Sequence, residues 1–408
     1  MTPRERVRTA LEHREPDRVP VDNNGGVSSI HEVAYANLIA RLGYREEITV
    51  FDAVQRLALA SEPVLCALGV DTRYLYPNAP SGWTYQEKPD GTWTDEYGTT
   101  YRRVGFYADA VAPVLRAASL AEVKAYKFPD PTDASRFKGL REKALALHRE
   151  TDYALVSGAI LCFDYIRWVL RGLEQATADL LEEPRLAAYL LDAIVDWMIA
   201  YGQRIMDEVG DLIEFFWTGD DWGGQGGPFY SPEMFRTVFK PRIARLIGGI
   251  KKKTRAKCAY HCCGSVRWAI PDLMEAGVDI LHPLQPSAHG NEDTAGIKKE
   301  FGGNLCFHGG TNNQGLFHGD ALPLEIDTLK RIRDFAPGGG YIFSSGHNIQ
   351  ANMPASNVEL LFSLGRRWGH YPIDTRAINE RIRELEARTT VGTPVGTPAG
   401  APAGAPAP

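Results

Sequence analysis

Four histidines in the second half of the chain each end a segment of apolar, aromatic and β-branched residues: Ala256–His261, Asp279–His282, Leu305–His308 and Tyr341–His347. Histidine is scarce, with ten in 408 residues, so this recurrence at strand-like ends is a pattern rather than scatter. The first segment runs on as His261-Cys262-Cys263-Gly264. Residues two apart in an extended chain share a face, so His261 and Cys263 can turn an imidazole and a thiolate toward one ion. That donor pair suits zinc or a similar borderline metal, and a catalytic site keeps one position open. A third ligand must come from elsewhere in the chain. His347 is the first choice, Cys306 and His308 the second, and Asp220 or Asp221 would supply an oxygen instead. The plain alternative is structural, with His261 donating to a backbone carbonyl and Cys263 serving as a small core residue.

Asp220 and Asp221 follow the strand-like Leu212–Trp217 and are candidate catalytic carboxylates, able to take a proton or bind a cation. Gln285, in His282-Pro283-Leu284-Gln285-Pro286, is a candidate for orienting a substrate. Cys258 and Cys262 are expected to face the wall of the fold, and His289 and His318 to lie in solvated loops. The run Gly223-Gly224-Gln225-Gly226-Gly227 lacks the lysine of a phosphate loop, and no dinucleotide fingerprint follows the first strand. It reads as a tightly turned loop beside the site.

The elements that must position these residues alternate between strand and helix. Strands are expected at 18–22, 70–75, 153–158, 212–217, 256–261, 278–284, 304–308 and 340–345. Helices are expected at about 31–42, 52–68, 163–208, 231–252, 265–275, 293–300, 323–335 and 354–368, with Ser231 and Pro232 marking one start. Strands separated by helices pair in parallel, and about eight of them predict a closed α/β barrel, (β/α)8, whose carboxyl ends gather on one face. Aromatic and β-branched residues around Pro89-Asp90-Gly91 predict an antiparallel hairpin inserted at 83–105. The barrel occupies 1–388. The Gly/Pro/Ala-rich 389–408 has nothing to bury and is expected to be disordered.

Bulk properties narrow the class. With 44% hydrophobic and 24% charged residues, the chain can bury a large core. A net charge of −6 gives no general attraction to nucleic acid or anionic membrane. No apolar run suggests a signal peptide or membrane span, so a cytoplasmic location is expected. Six cysteines are too few for a disulfide framework at this length and read as reduced thiols.

Several motifs together resemble the uroporphyrinogen decarboxylase superfamily. They are Thr2–Arg8, Pro16–Pro20, Gly219-Asp220-Asp221, Ser231–Phe235, Lys240-Pro241-Arg242, His261-x-Cys263-Gly264, Val278–Ile280, Gln285-Pro286, His308-Gly309-Gly310, Gly338–Phe343 and His347-Asn348-Ile349. The likeness spans roughly residues 3–370 and implies a (β/α)8 barrel. True uroporphyrinogen decarboxylases carry an Arg-Gln-Ala-Gly-Arg-Tyr motif that binds substrate carboxylates; here the corresponding stretch, Val21–Val27, has no arginine. The chain is more similar to the corrinoid- and thiol-dependent methyltransferase branch, whose zinc motif is His-x-Cys with a distant Cys. His261 and Cys263 match its first two positions, and His347 stands where the third is a cysteine. A site with one thiolate instead of two is a stronger Lewis acid, which favours oxygen- or nitrogen-linked methyl donors over thiol alkylation. The resemblance thus implies a zinc-dependent methyltransferase or demethylase acting on a small molecule. Its methyl acceptor would be a corrinoid or pterin, the corrinoid carried by a separate protein, and a homodimer is the candidate assembly. The alternatives are a metal-independent decarboxylase of porphyrin type and a non-catalytic ligand-binding barrel.

Overall fold

The computed structural model describes residues 1–313 and 319–391. Seven parallel strands form one curled sheet, here β1 (Thr72–Leu75), β2 (Ala154–Leu161), β3 (Phe215–Gly219), β4 (Lys257–His261), β5 (Ile280–His282), β6 (Cys306–His308) and β7 (Tyr341–Ile342). They are hydrogen-bonded in sequence order from β1 to β7. The gap between β7 and β1 is filled by the 18–22 segment. Asp22 N donates to the Phe343 carbonyl and Phe343 N to the Pro20 carbonyl, each at 2.8 Å, while Asp71 N donates to the Val21 carbonyl at 2.8 Å. The expected eighth strand therefore exists as a short set of bridges that closes the barrel.

Alternation along each strand separates two cores. Val156, Phe215, Trp217, Ala259, Ile280, Cys306 and Ile342 point inward, where Val7 and Leu11 of α1 (Pro3–Leu11) join them. Thr2 caps α1 by a reciprocal pair of bonds with Glu5, so this plug for the amino end of the barrel starts at a defined residue. The residues between, such as Phe216, Tyr260, Leu281 and Phe307, pack outward against the helices.

Several expected elements differ in detail. The helix over 163–208 is divided by Gly172 and Pro184 into a π-helical turn (Tyr165–Leu170) and two α-helices (Leu173–Glu182, Pro184–Val209). The helix over 52–68 is short strands followed by Glu62–Leu68. The inserted hairpin is a three-stranded antiparallel sheet, Thr92–Thr94, Thr100–Val104 and Tyr107–Ala112. The expected turn at Pro89-Asp90-Gly91 is made, with Gly91 N donating to the Lys88 carbonyl at 2.9 Å, but it precedes the sheet, whose strands first reverse at Asp95–Gly98, where Asp95 Oδ1 accepts from Tyr97 N and Thr99 N at 3.0 and 2.9 Å. The last strand ends at Ile342, which leaves His347 in the following loop. A final helix, Thr375–Val391, had no sequence counterpart and runs into the stretch read as tail; 392–408 and His318 lie outside the described residues. No helix among the described residues is long and apolar enough to cross a membrane.

Candidate metal centre at the barrel mouth

β4, β5 and β6 each end in an inward histidine, because His261, His282 and His308 sit two residues past the inward Ala259, Ile280 and Cys306. His261 is 5% exposed, His282 0% and His308 1%. Beyond β4 the chain turns at Gly264, whose φ of 75° favours glycine, and a Cβ there would strike the Gly223 carbonyl. The glycine-rich loop is thus pressed onto the His261–Gly264 turn, as expected of a tight loop beside the site. In the loop after β7, Asn348 accepts from Ser29 N at 2.8 Å and donates to Gln55 Oε1 at 2.9 Å. His347 is held by this anchored loop.

One ligand atom each from His261, Cys263 and His347 lie within 4.8 Å of one another. His261 Nε2 is 3.3 Å from Cys263 Sγ, and the His261 and His347 rings are 5.5 Å apart between centroids. Ligands about 2.0–2.3 Å from a zinc ion stand roughly 3.5 Å apart in a tetrahedron, so the nitrogen–sulfur spacing fits. Electrostatics also fits a cation. Burial, with the charge of Asp221, pushes the Cys263 thiol well up, so a thiolate there needs a positive partner. Burial lowers His261 to about 4, and lowers His347 as well, leaving neutral imidazoles with a free lone pair.

The other expected site residues divide. Asp221 reaches the mouth: its Oδ1 accepts from Cys263 N at 2.7 Å and lies 3.7 Å from His261 Nε2. Asp220 turns outward into the wall. Its Oδ1 accepts from Asp164 N at 2.7 Å, Tyr260 O–H approaches its Oδ2 at 3.4 Å, and burial with the charge of Asp164 raises its carboxyl well above the usual range. Gln285 reaches toward the thiol, with Nε2 3.6 Å from Cys263 Sγ, while its Oε1 accepts from Gln225 and Gly264. Cys258 and Cys262 face the helix layer as expected, and His289 is exposed. Of the second-choice ligands, Cys306 lies at the far end of the barrel against the Ala10 and Leu11 carbonyls. His308 instead pairs with Asp22 at 2.9 Å. All six cysteines are free thiols.

Sequence reasoning overlooked two groups. Asp22 is fully buried and accepts from Ser28, Thr72, Tyr74 and His308. Burial would raise its carboxyl, but His308, Thr72 and Tyr74 outweigh it and hold it low. Arg167, on the π-helical turn, pairs with Asp164 and donates to the Asp221 carbonyl at 2.7 Å, supporting the loop that carries Asp221. An aspartate closing the predicted 18–22 strand was the available signal for the first. The second had none.

The family model for uroporphyrinogen decarboxylase (URO-D) matches residues 103–368. The chain belongs to the uroporphyrinogen decarboxylase family. Curated relatives named uroporphyrinogen decarboxylase include that of Pelobacter propionicus, 25% identical over 185 residues, which are 45% of this chain and 50% of that protein. That of Trichodesmium erythraeum is 24% identical over 186 residues, 45% of this chain and 48% of the relative. The chain thus spans about half the length of these curated relatives. Among solved structures, a methyltransferase from Methanosarcina mazei superimposes with a TM-score of 0.60 at 16% identity, covering 90% of this chain and 99% of the other. That likeness is one of fold and agrees with the URO-D barrel.

Proposed function

We propose that this URO-D family member is a zinc-dependent methyltransferase or demethylase that moves a methyl group from a small O-, N- or S-methyl substrate to a corrinoid or pterin carrier. The observation that carries this reading is the convergence of His261, Cys263 and His347 at the mouth. Three protein ligands of mixed nitrogen and sulfur type suit zinc with a position left for substrate. A zinc ion held there would supply Lewis acidity at the heteroatom from which the methyl group departs. The chain's own groups do the rest. Gln285 Nε2–H stands by the Cys263 sulfur and tempers its charge, and Asp221 is placed to hold or deliver a proton to the departing heteroatom. The carrier takes the methyl group, and the heteroatom keeps the bonding electrons.

The family match favours a second reading, decarboxylation of a porphyrinogen-type polycarboxylate. Against it, the mouth presents buried Asp22, Asn23 and Asn24 from the N-terminal segment, which gives desolvated carboxylates no bidentate cation there. Two measurements decide. Elemental analysis of protein prepared without chelator should find about one zinc per chain, lost in Cys263→Ala and His261→Ala and reduced in His347→Ala. Methyl transfer to cob(I)alamin, from methoxy aromatics, methylamines and methyl thioethers, should depend on that zinc. Stepwise uroporphyrinogen decarboxylation insensitive to chelator would replace this reading with the second.

A further inference from the structure

Behind the candidate ligands the barrel interior holds a buried column of polar groups that the ligand set leaves unexplained. His261 Nδ1 lies 2.9 Å from His282 Nδ1. The His282 ring is set edge-on to Trp217 and to His308, with centroids 5.3 and 4.9 Å apart. His308 is in turn tied through Nε2 to Asp22 at 2.9 Å. A domain core does not need two fully buried histidines and a fully buried carboxylate in contact, and apolar residues would fill that space at lower cost.

Proton bookkeeping gives the column a purpose. The atom of His261 nearest both Cys263 Sγ and Asp221 is Nε2, so Nε2 is the one that can offer a lone pair to an ion. A neutral imidazole has one proton, which must then sit on Nδ1. It has one neighbour to donate to, His282 Nδ1, and that nitrogen must therefore be the acceptor. The proton of His282 is forced onto Nε2, which is buried beside the Ser345 carbonyl at poor hydrogen-bond geometry. Trp217 and the Asp22-anchored His308 keep the ring from turning its other edge to His261.

We infer that His282 is a positioning residue for the metal centre: its Nδ1 accepts from His261 Nδ1–H and so fixes both the tautomer and the ring plane in which His261 Nε2 faces the ion. This rests on the zinc reading above. Partners of this kind orient metal-bound histidines and are worth roughly 10–100-fold in metal affinity. The inference is specific to one atom. Asparagine carries its amide where Nδ1 stands, whereas glutamine carries it about where Nε2 stands, so only the first keeps an acceptor for His261.

The test compares the parent protein with His282→Leu, His282→Asn and His282→Gln. Zinc affinity is measured by competition with a chromophoric chelator, and the visible spectrum is recorded with cobalt(II) in place of zinc. The expected result is a roughly 10–100-fold weaker zinc affinity and an altered cobalt spectrum in His282→Leu and His282→Gln, with both near parental in His282→Asn. Should His282→Leu fail to fold, the two amide variants decide by themselves. Equal affinity in the asparagine and glutamine variants, or parental affinity in a folded His282→Leu, would overturn the assignment of His282 while leaving the metal centre standing. A parent protein that binds neither metal would overturn the metal reading itself.

Discussion

The two ends of the barrel interior come from the same strands and carry opposite chemistry. On β4, β5 and β6 the lower inward residues are Ala259, Ile280 and Cys306, and two residues later come His261, His282 and His308. The lower layer, with Phe215 and Ile342 above the α1 plug, is packed and apolar; the upper layer is ionisable and opens to the mouth. Each strand thus divides the work of stability and chemistry across one repeat of the pleat, in line with barrels that place chemistry at strand carboxyl ends. Asp220 and Asp221 repeat the lesson between neighbours, since one residue of offset sends the first into the wall and the second to the ligands.

If the division is real, damage to one layer should leave the other intact. The largest effect belongs to the lower layer. Phe215→Ala should cost about 3–5 kcal/mol of stability, read by urea denaturation, with zinc content unchanged in the protein that remains folded. Loss of zinc at full folding would show that the layers are coupled. At the mouth, Asp221→Asn should retain zinc and lower turnover by about 100-fold, in the range of one lost general acid or base. Asp220→Asn, still able to accept from Asp164 N, should leave turnover near parental. Equal turnover losses in the two would erase the distinction between the aspartates.

Acid gives a third, smaller effect. In the metal-free protein His261 is buried neutral, lowered to about 4 from an ordinary value near 6.5. Between those values the unfolded chain binds more protons than the folded one, so stability present above pH about 6.5 is lost as pH falls toward 4. The urea midpoint should drop over that interval in the parent and less in His261→Gln, where the buried neutral His282 and His347 still contribute; equal slopes would mean that His261 adds nothing to the acid loss. The smallest effect is expected for deletion of 392–408, where composition offers nothing to bury: melting temperature and zinc content should not change. A clear drop in melting temperature would give the tail a docking site.

Much of this layout is legible in the sequence because periodicity writes it there. A histidine ending each of several apolar segments marks both a strand end and its inward face for His261, His282 and His308, whereas His347 lies in the loop beyond Ile342. What stays hidden depends on partners distant in the chain. Nothing local to Asp22 announces His308, Thr72 and Tyr74 around it, and the H-x-C spacing says nothing of which residue stands behind His261. The insert was read incompletely for a local reason: Pro89-Asp90-Gly91 does turn the chain, but Asp95 with Gly98 turns it again, and only the pairing of Thr92–Thr94 with Thr100–Arg102 shows where the sheet reverses. The helix over 163–208 reads as continuous because apolar residues recur at helical spacing on both sides of Gly172 and Pro184, the two positions where the structure divides it.

Closure of the ring by the 18–22 segment has a consequence for how the protein is made. That segment is made well before Phe343, so its pairing with Asp71 on one side can form while its other side waits for Phe343. Until then the nascent chain holds an open edge, of the kind that invites mispairing in slowly assembled parallel sheets. Asp22 meets Thr72 and Tyr74 long before His308 arrives to complete its surroundings. The seam between β7 and the 18–22 segment is therefore the part of the barrel whose partners lie farthest apart in the chain, and a chaperone acting on it would find the unfinished edge where the ends of the sheet are to meet.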